Sequence, residues 1–175
     1  MCGIIAYAGN KPAANVVLEG LKKLEYRGYD SWGIVALTNN PENAERPFSV
    51  IKRVGKIGEI NMDYVNSAIK GENHIAIGHT RWATHGGVTE QNAHPHLDCT
   101  GKIAVVHNGI VDNYQQIRAG LGSHRFLSQT DTEVIPHLIE EIMSKEGLGF
   151  VAAVRKAANT LNGRSAFVAI NSETR

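Results

Sequence analysis

The chain has 175 residues, a formal net charge of +1, 42% hydrophobic residues and 20% charged residues, a composition typical of one globular domain. A charge this close to zero gives no reason to expect nucleic acid or an anionic membrane surface as a partner, and no apolar run approaches the roughly 20 residues that cross a bilayer. Two cysteines, Cys2 and Cys99, are too few for a disulfide scaffold.

The hydrophobic pattern alternates between strand and helix periods along the whole chain. In chain order it predicts a strand over 4–8, a helix from Pro12 to near Gly28, strands over 32–38 and 48–54, a helix over 57–69, strands over 74–79 and 103–106, helices over 113–121, 134–142 and 150–161, and a strand over 165–171. Because no helix separates the second and third strands, they should form a hairpin, joined by a polar surface loop over 39–47. Strand pairs mixed with helices indicate an α+β or layered α/β fold.

Helix starts are marked by residues that commonly cap helices. Asn10 is placed to cap the first helix. Asp112 with Gln115, and Thr130 with Glu133, have the spacing of a capping box, in which each end of the motif bonds a backbone N–H of the other.

Cys2 is the first candidate for chemistry. Removal of Met1 would leave a thiol and a free α-amine on the same carbon. A thiol with a pKa of about 8.5 is mostly protonated at neutral pH, and an amine with a pKa of about 7.7–8.0 can accept its proton. The pattern indicates a nucleophile that carries its own base, although a Cys here without a chemical role is also compatible with the terminus alone. A nucleophilic thiol needs a reducing compartment, so we expect a cytoplasmic protein.

Three further stretches combine polar and glycine residues in a way that packing does not explain: GHTRWATHGG at 78–87, HNG at 107–109 and QTDTE at 129–133. Arg81 follows a predicted strand, where its guanidinium could clamp a carboxylate or form a surface ion pair. Asn108 and Gly109 could supply the donors of an oxyanion hole or form a hairpin turn. Asp131 could hold an ammonium group or favour a helix dipole.

Histidine is unusually frequent, with eight in the chain and five of them between positions 79 and 107. None has the His-Glu-x-x-His spacing of a known metal motif, and no Cys-x-x-Cys pair is present. We therefore expect no metal and no cofactor, with a His-based metal hydrolase as the alternative.

Together these motifs resemble a known family. The terminus CGII at 2–5 resembles that of the class II, N-terminal nucleophile (Ntn), glutamine amidotransferases. LEYRGYDS, GHTRWATHG, NAHPH, HNGI and TDTE narrow the resemblance to the glutaminase domains of the glucosamine-6-phosphate synthases, the isomerising glutamine–fructose-6-phosphate aminotransferases. It covers residues 2 to about 139. Trp32 departs from the family, which usually has a small residue there. Amidophosphoribosyltransferases and asparagine synthetases share the terminus and the Asn-Gly, but usually differ in the RWATH stretch.

The resemblance implies catalytic roles residue by residue. Cys2 would be the nucleophile and its amine the base, forming a γ-glutamyl thioester that water hydrolyses to glutamate. Asn108 and Gly109 would form the oxyanion hole. Trp82 would sit at the mouth where ammonia leaves, and Arg27 lies in a turn that orders near the nucleophile in the family.

The substrate implied by the resemblance is glutamine. Arg81 would bind its α-carboxylate, helped by Thr84 and His85, and Asp131 would bind its α-ammonium group. The implied fold is the four-layer αββα sandwich of two antiparallel sheets.

The resemblance also implies that residues 1–175 are an incomplete glutaminase domain. In the family this domain continues further and two sugar-isomerase-type domains follow it. Fructose 6-phosphate would then be a partner only through those domains, and the parent protein would be a homo-oligomer. Two alternatives stay open: a class II amidotransferase with a different ammonia acceptor, and a module that senses glutamine without turning it over.

Overall fold

The structure, a computed structural model, describes residues 2–38, 47–69 and 71–174. Its strands are β1 (Gly3–Ala8), β2 (Ser31–Leu37), β3 (Phe48–Val54), β4 (Ile75–Arg81), β5 (His96–Leu97), β6 (Ile103–Gly109) and β7 (Ser165–Asn171). Its helices are α1 (Ala13–Leu24), α2 (Met62–Ala68), α3 (Tyr114–Gly120), α4 (Val134–Glu146) and α5 (Phe150–Thr160), with short 3₁₀ turns at Glu25–Arg27 and Asp131–Glu133.

The strands form two antiparallel sheets, a four-stranded sheet in the order β1-β4-β2-β3 and a three-stranded sheet in the order β5-β6-β7. The predicted hairpin of β2 and β3 is confirmed, with Ser31 opposite Val54 and Leu37 opposite Phe48. The predicted loop over 39–47 lies outside the described residues up to position 46. Strand β5 was not predicted, because a two-residue strand carries no periodic signal.

Three hydrophobic clusters fill the spaces between neighbouring layers of helices and sheets. One packs α1 and α2 on the first sheet, a second packs α3, α4 and α5 on the second sheet, and a third fills the space between the sheets. This confirms the predicted four-layer αββα arrangement. Trp32 is buried in the first cluster, so the residue that departs from the family serves as core packing.

The alternation of side chains along β4 decides which of them face the space between the two sheets. On β4, Ala76 faces α1, whereas Ile75 and Ile77 face the space between the sheets. Because strand side chains alternate with period 2, His79 and Arg81 continue that same inter-sheet face. The inter-sheet layer is therefore apolar at one end of β4 and polar at the other.

The helix starts differ from the sequence predictions. The first turn of α1 is capped not by Asn10 but by Asn73, whose Oδ1 accepts from the backbone N–H of Ala14 at 2.8 Å. Helix α2 begins at Met62, capped by Asn61, rather than at position 57. Neither predicted capping box forms at the expected N-cap, since α3 has no side-chain cap bond and the predicted cap residue Thr130 makes none either.

Across the described part of the chain, no helix combines the length and the apolar character needed to cross a membrane.

Candidate functional site

Cys2 lies just before β1, opposite the end of β4. Since Gly3 pairs with Thr80, the next step of the register brings Cys2 to Arg81 and Trp82. The backbone N–H of Trp82 donates to Cys2 Sγ at 3.2 Å. Burial raises the pKa of the Cys2 thiol, and the hydrogen bond from Trp82 acts in the opposite direction. The thiol is thus held in place by the chain that leaves β4.

Asn108 lies on β6 and reaches across the inter-sheet space to Cys2. Its Nδ2 donates to the backbone carbonyl of Cys2 at 3.0 Å, and its Oδ1 lies 2.9 Å from His79 Nε2. A carbonyl can only accept, so the Asn108 NH₂ must face Cys2 and its oxygen must face His79. His79 Nε2 therefore carries the proton and donates it to Asn108.

His79 is fully buried, and this burial lowers its pKa to about 3. The ring is consequently neutral at physiological pH, with its one proton on Nε2. The sequence motif contained His79, but nothing in the motif indicated that it orients Asn108. The missed signal was strand register, which places both residues on the inter-sheet face.

Gly109 ends β6 with a φ of +132°, a conformation that favours glycine. A Cβ at this position would lie 2.1 Å from the backbone oxygen of Arg164, which enters β7. Asn108 and Gly109 are therefore part of a strand paired with β7, and the hairpin-turn alternative is wrong. The glycine allows the chain to pass close to its neighbour next to Cys2.

Arg81 is almost fully buried at the end of β4. Its Nη1 donates to the Gly87 carbonyl at 3.1 Å, and its Nη2 donates to the carbonyls of His85 and, at 3.4 Å, Gly86. A guanidinium has five N–H donors, and three are used on this loop. Burial lowers the pKa of Arg81, opposed by nearby Asp30, Cys2 and Asp131. Arg81 is thus no surface ion pair; it holds the loop that follows it.

Asp131 is buried in the 3₁₀ turn before α4. Its Oδ2 accepts from the backbone N–H of Val111 at 2.7 Å. Asp131 stands in the first turn of this 3₁₀ segment, so its position is also compatible with the helix-dipole alternative. The turn fixes the carboxylate near the end of β6, in the same pocket as Gly109.

One narrow pocket brings most of the predicted site together. It is lined by Cys2 and by residues from the three stretches at 78–87, 107–109 and 129–133, namely Arg81, Trp82, Thr84, His85, Gly109 and Asp131. The pocket has a free volume of about 20 Å³, room for about one water molecule. Glutamine is larger, so it does not fit this space unless residues of the lining move apart.

Arg27 and Asn108 line a different space on the other side of Cys2. That cavity of about 370 Å³ also contains Tyr26 and the β7 residue Phe167. Arg27 Nε donates to the Tyr26 hydroxyl at 3.0 Å, so the side chain is held beside the nucleophile but apart from Arg81 and Asp131. Cys2 is the residue that both spaces share.

Asp30 is a second residue that the sequence reasoning did not assign. Its carboxylate accepts from the backbone N–H of Ala83 and, at 2.8 Å, from the Ser31 hydroxyl. It therefore anchors the first residues of the loop that carries Trp82 and Thr84. Trp82 itself is half exposed and packs edge-on against Tyr29, with ring centroids 5.4 Å apart.

A wider cavity, about 740 Å³, lies elsewhere, between β3 and the turn at Cys99. It contains neither Cys2 nor the residues predicted to bind an amino acid. The small pocket is the better candidate because the Cys2 thiol, the Arg81 guanidinium and the Asp131 carboxylate, all chosen from the sequence motifs, line it together.

Comparison with known proteins agrees with this geometry. The family described as "Glutamine amidotransferase domain" matches residues 79–175. The chain is similar to the glutamine–fructose-6-phosphate aminotransferases (isomerizing) of Methanococcus maripaludis, at 45% identity over 99% of this chain and 28% of the relative, and of Pyrococcus horikoshii, at 48% identity over 97% and 27%. The chain thus spans little more than a quarter of the curated relatives it matches.

Two solved structures share the fold. The "allosteric regulatory enzyme of purine biosynthesis" superposes with a TM-score of 0.80 at 28% identity, over 98% of this chain and 36% of that one. The glutamine phosphoribosylpyrophosphate amidotransferase from B. subtilis gives a TM-score of 0.78 at 25% identity, over 98% and 35%. The fold is therefore that of Ntn-type amidotransferases.

Proposed function

This chain belongs to the glutamine amidotransferase domain family, and from that premise we propose that it hydrolyses the side-chain amide of glutamine with Cys2 as the nucleophile. The observation that carries the proposal is the shared pocket, in which Cys2, Arg81, Asp131 and Gly109 face one small space. A thiol, a cation and an anion around one space match the reactive amide and the two charged ends of a free amino acid.

The nucleophile needs a base, because burial keeps the Cys2 thiol protonated. Removal of Met1 frees the α-amine of Cys2, which takes the thiol proton directly or through one water. The hydrogen bond from the Trp82 backbone N–H stabilises the resulting thiolate.

Glutamine is held by its charged ends. Arg81 binds the α-carboxylate, with Thr84 and His85 beside it, and Asp131 binds the α-ammonium group. On binding, the carboxylate takes over guanidinium hydrogen bonds that Arg81 otherwise gives to the carbonyls of residues 85–87. A buried pair of opposite charges rejects molecules that lack either group.

The reaction proceeds in two halves. The Cys2 thiolate attacks the amide carbon, and the oxyanion is held by the Asn108 NH₂ and the Gly109 backbone N–H. Asn108 gives one N–H to the Cys2 carbonyl and has a second for the oxyanion. The Cys2 ammonium protonates the departing ammonia, which passes Trp82, and a γ-glutamyl thioester is left. Water, deprotonated by the same amine, attacks the thioester and releases glutamate.

We place this chain in a longer glutamine–fructose-6-phosphate aminotransferase of the cytoplasm, with residues 1–175 as part of its glutaminase domain. In that protein the ammonia converts fructose 6-phosphate to glucosamine 6-phosphate at a site formed by other segments, and the whole enzyme is a homo-oligomer. The similarity to two isomerising aminotransferases over nearly all of this chain supports this assignment. Arg27, beside Cys2 but outside the small pocket, is placed to order the turn against the nucleophile.

The test is a glutaminase assay on chain without an amino-terminal tag. Glutamate release is expected from the native sequence and should be lost in Cys2→Ala. A tag fused ahead of Cys2 should also abolish turnover, because it converts the base into an amide. Glutamine binding without glutamate release would favour a sensing module, and activity in Cys2→Ala would overturn the proposal.

A further inference from the structure

Four potential metal ligands converge at a place remote from the small pocket. Cys99 lies in the turn between β5 and β6, His124 follows α3, and His137 and Glu140 lie one turn apart on α4. One ligand atom from each lies within 4.8 Å of every other. His137 is buried, His124 and Glu140 are partly buried, and only Cys99 is open to solvent.

Five of the six distances between these atoms are close to those of a tetrahedron around one ion. Bond lengths of about 2.0–2.1 Å to nitrogen and about 2.3 Å to sulfur place two nitrogens about 3.3 Å apart, and nitrogen and sulfur about 3.5 Å apart, in a tetrahedral zinc site. The two Nδ1 atoms of His124 and His137 are 3.3 Å apart, and Cys99 Sγ is 3.5 Å from each. Glu140 Oε2 lies 3.1 Å from His124 Nδ1 and 3.6 Å from His137 Nδ1.

Two ring nitrogens and one carboxylate oxygen face one another at the centre of the cluster. His124 Nε2 lies 3.2 Å from the Glu141 carboxylate, which can only accept, so Nε2 carries a proton. Nδ1 of His124 is then the ring nitrogen that faces Glu140 Oε2 and the Nδ1 of His137. A proton could bridge one such pair, whereas a divalent cation at the centre would satisfy all four atoms.

We propose that Cys99, His124, His137 and Glu140 bind one zinc ion. A set of one thiolate, two imidazoles and one carboxylate suits zinc better than the hard oxygen-binding cations magnesium and calcium. All four tetrahedral positions are taken by side chains, which is the arrangement of a structural site. Binding requires the Cys99 thiolate, so the thiol proton is released to solvent.

Surrounding groups hold Cys99, His124 and Glu140 in the way that metal ligands are commonly held, whereas the buried Nε2 of His137 makes no hydrogen bond within the described residues and has Glu133 Oε1 3.9 Å away. Glu141 accepts from the far nitrogen of His124. The backbone N–H of Cys99 donates to Glu140 Oε2 at 3.0 Å, and the backbone N–H of Arg125 donates to Cys99 Sγ at 3.4 Å. Such second interactions hold the ligating atoms in place and favour the thiolate and the correct imidazole tautomer.

The ion would link three segments that are far apart in sequence. It joins the Cys99 turn and the segment after α3 to α4, whose preceding turn carries Asp131. Zinc therefore stabilises the fold on the side that positions Asp131, and it takes no part in the reaction at Cys2. The inference does not depend on the proposed function.

The first experiment measures metal content. The 175-residue chain, purified without a metal-affinity tag, is mixed with excess ZnCl₂, desalted and analysed by mass spectrometry for metals. We expect close to one zinc per chain in the native sequence, and loss of it in Cys99→Ala and His124→Ala. Cys2→Ala, which removes the other cysteine, and His74→Ala, which removes an exposed histidine, should keep the ion.

Cobalt spectroscopy tests the ligands without relying on zinc retention. Tetrahedral Co²⁺ bound to a thiolate should give a sulfur-to-metal charge-transfer band that is absent in Cys99→Ala and present in Cys2→Ala. Glu141→Gln should weaken zinc binding about 10–100-fold. The control Glu19→Gln, which changes an exposed carboxylate on α1, should leave zinc binding unchanged. Circular dichroism checks that each variant is folded.

Thermal unfolding provides the final measurement. A chelator should lower the melting temperature of the native chain and leave that of Cys99→Ala unchanged. The proposal would be overturned if desalted native chain holds no zinc, if zinc survives both Cys99→Ala and His124→Ala, or if the cobalt band follows Cys2.

Discussion

Replacing His79 with leucine removes the hydrogen bond that holds the oxygen of the Asn108 amide. Leucine fills a similar volume between the sheets but offers no donor to Asn108 Oδ1, which His79 Nε2 contacts at 2.9 Å. The amide oxygen is then left without its buried partner, and the NH₂ group can turn away from Cys2. We expect slower turnover with little change in KM, because the lost contact acts on the oxyanion rather than on the charged ends of glutamine.

The size of the effect follows from the burial of this bond. Leaving a buried acceptor unpaired costs about 1–3 kcal/mol, which corresponds to about a 5–150-fold loss in kcat if the whole cost falls on the transition state. Deleting an oxyanion donor outright costs about 10²–10³-fold, so Asn108→Ala should be at least as severe. Since His79 acts through Asn108, the double variant should be no slower than Asn108→Ala alone.

The assay is steady-state glutamate release at several pH values, with folding checked by circular dichroism. Burial holds the pKa of His79 at about 3, so His79→Leu should lower kcat by the same factor at every pH from about 6 to about 9. His79→Gln, which can still donate to Asn108, should recover part of the rate. Native kcat in His79→Leu, or effects of the two single variants that multiply in the double variant, would show that His79 does not position Asn108.

Buried histidines, a strained glycine and the acid proposed to bind the ammonium group provide three more tests. Burial keeps His79 and His94 neutral in the folded chain, while the same rings in the unfolded chain bind protons below about pH 6.5. The free energy of unfolding should therefore decrease as the pH is lowered, by up to about 1.4 kcal/mol per pH unit for each ring. Equal urea midpoints at about pH 7.5 and about pH 5.5 would contradict this. Gly109→Ala places a Cβ 2.1 Å from a backbone oxygen at a φ of +132° and should destabilise the fold by about 3 kcal/mol or more in urea unfolding. The control Gly120→Ala, with open space around its Cβ, should not, and similar urea midpoints for the two variants would contradict the predicted strain at Gly109. Asp131→Asn keeps an acceptor for the backbone but loses the charge, so KM for glutamine should rise about 30-fold or more, and an unchanged KM would remove Asp131 from the binding site.

Much of the fold was predictable from local pattern. Alternating residues such as Ile75 and Ile77 fixed the strands and their buried faces, and the hairpin of β2 and β3 followed from the absence of a helix between them. Contacts between distant residues were not predictable. The cap of α1 comes from Asn73, about 60 positions away from the helix it caps, and no local signal indicates such a partner.

The candidate site shows the same division. Cys2, Arg81, Gly109 and Asp131 were chosen from motifs, and the structure places them around one pocket. The carbonyl partners of Arg81 were not predicted, since backbone acceptors leave no trace in residue type.

The zinc ligands were missed for a related reason. Known motifs place ligands a few positions apart, whereas Cys99, His124 and His137 are separated by 25 and 13 positions. Only the short His137–Glu140 spacing is local, and it is also the ordinary spacing of two residues on one helix face.

The nucleophile can be tested directly by the intact mass of chain quenched with acid during glutamine turnover. We predict a chain that lacks Met1 and carries one glutamyl group, which peptide mapping places on Cys2 and not on Cys99. The adduct should be absent in Cys2→Ala. Turnover by chain that retains Met1, or a glutamyl group found on Cys99, would contradict a mechanism in which the thiol and the free amine of Cys2 act together.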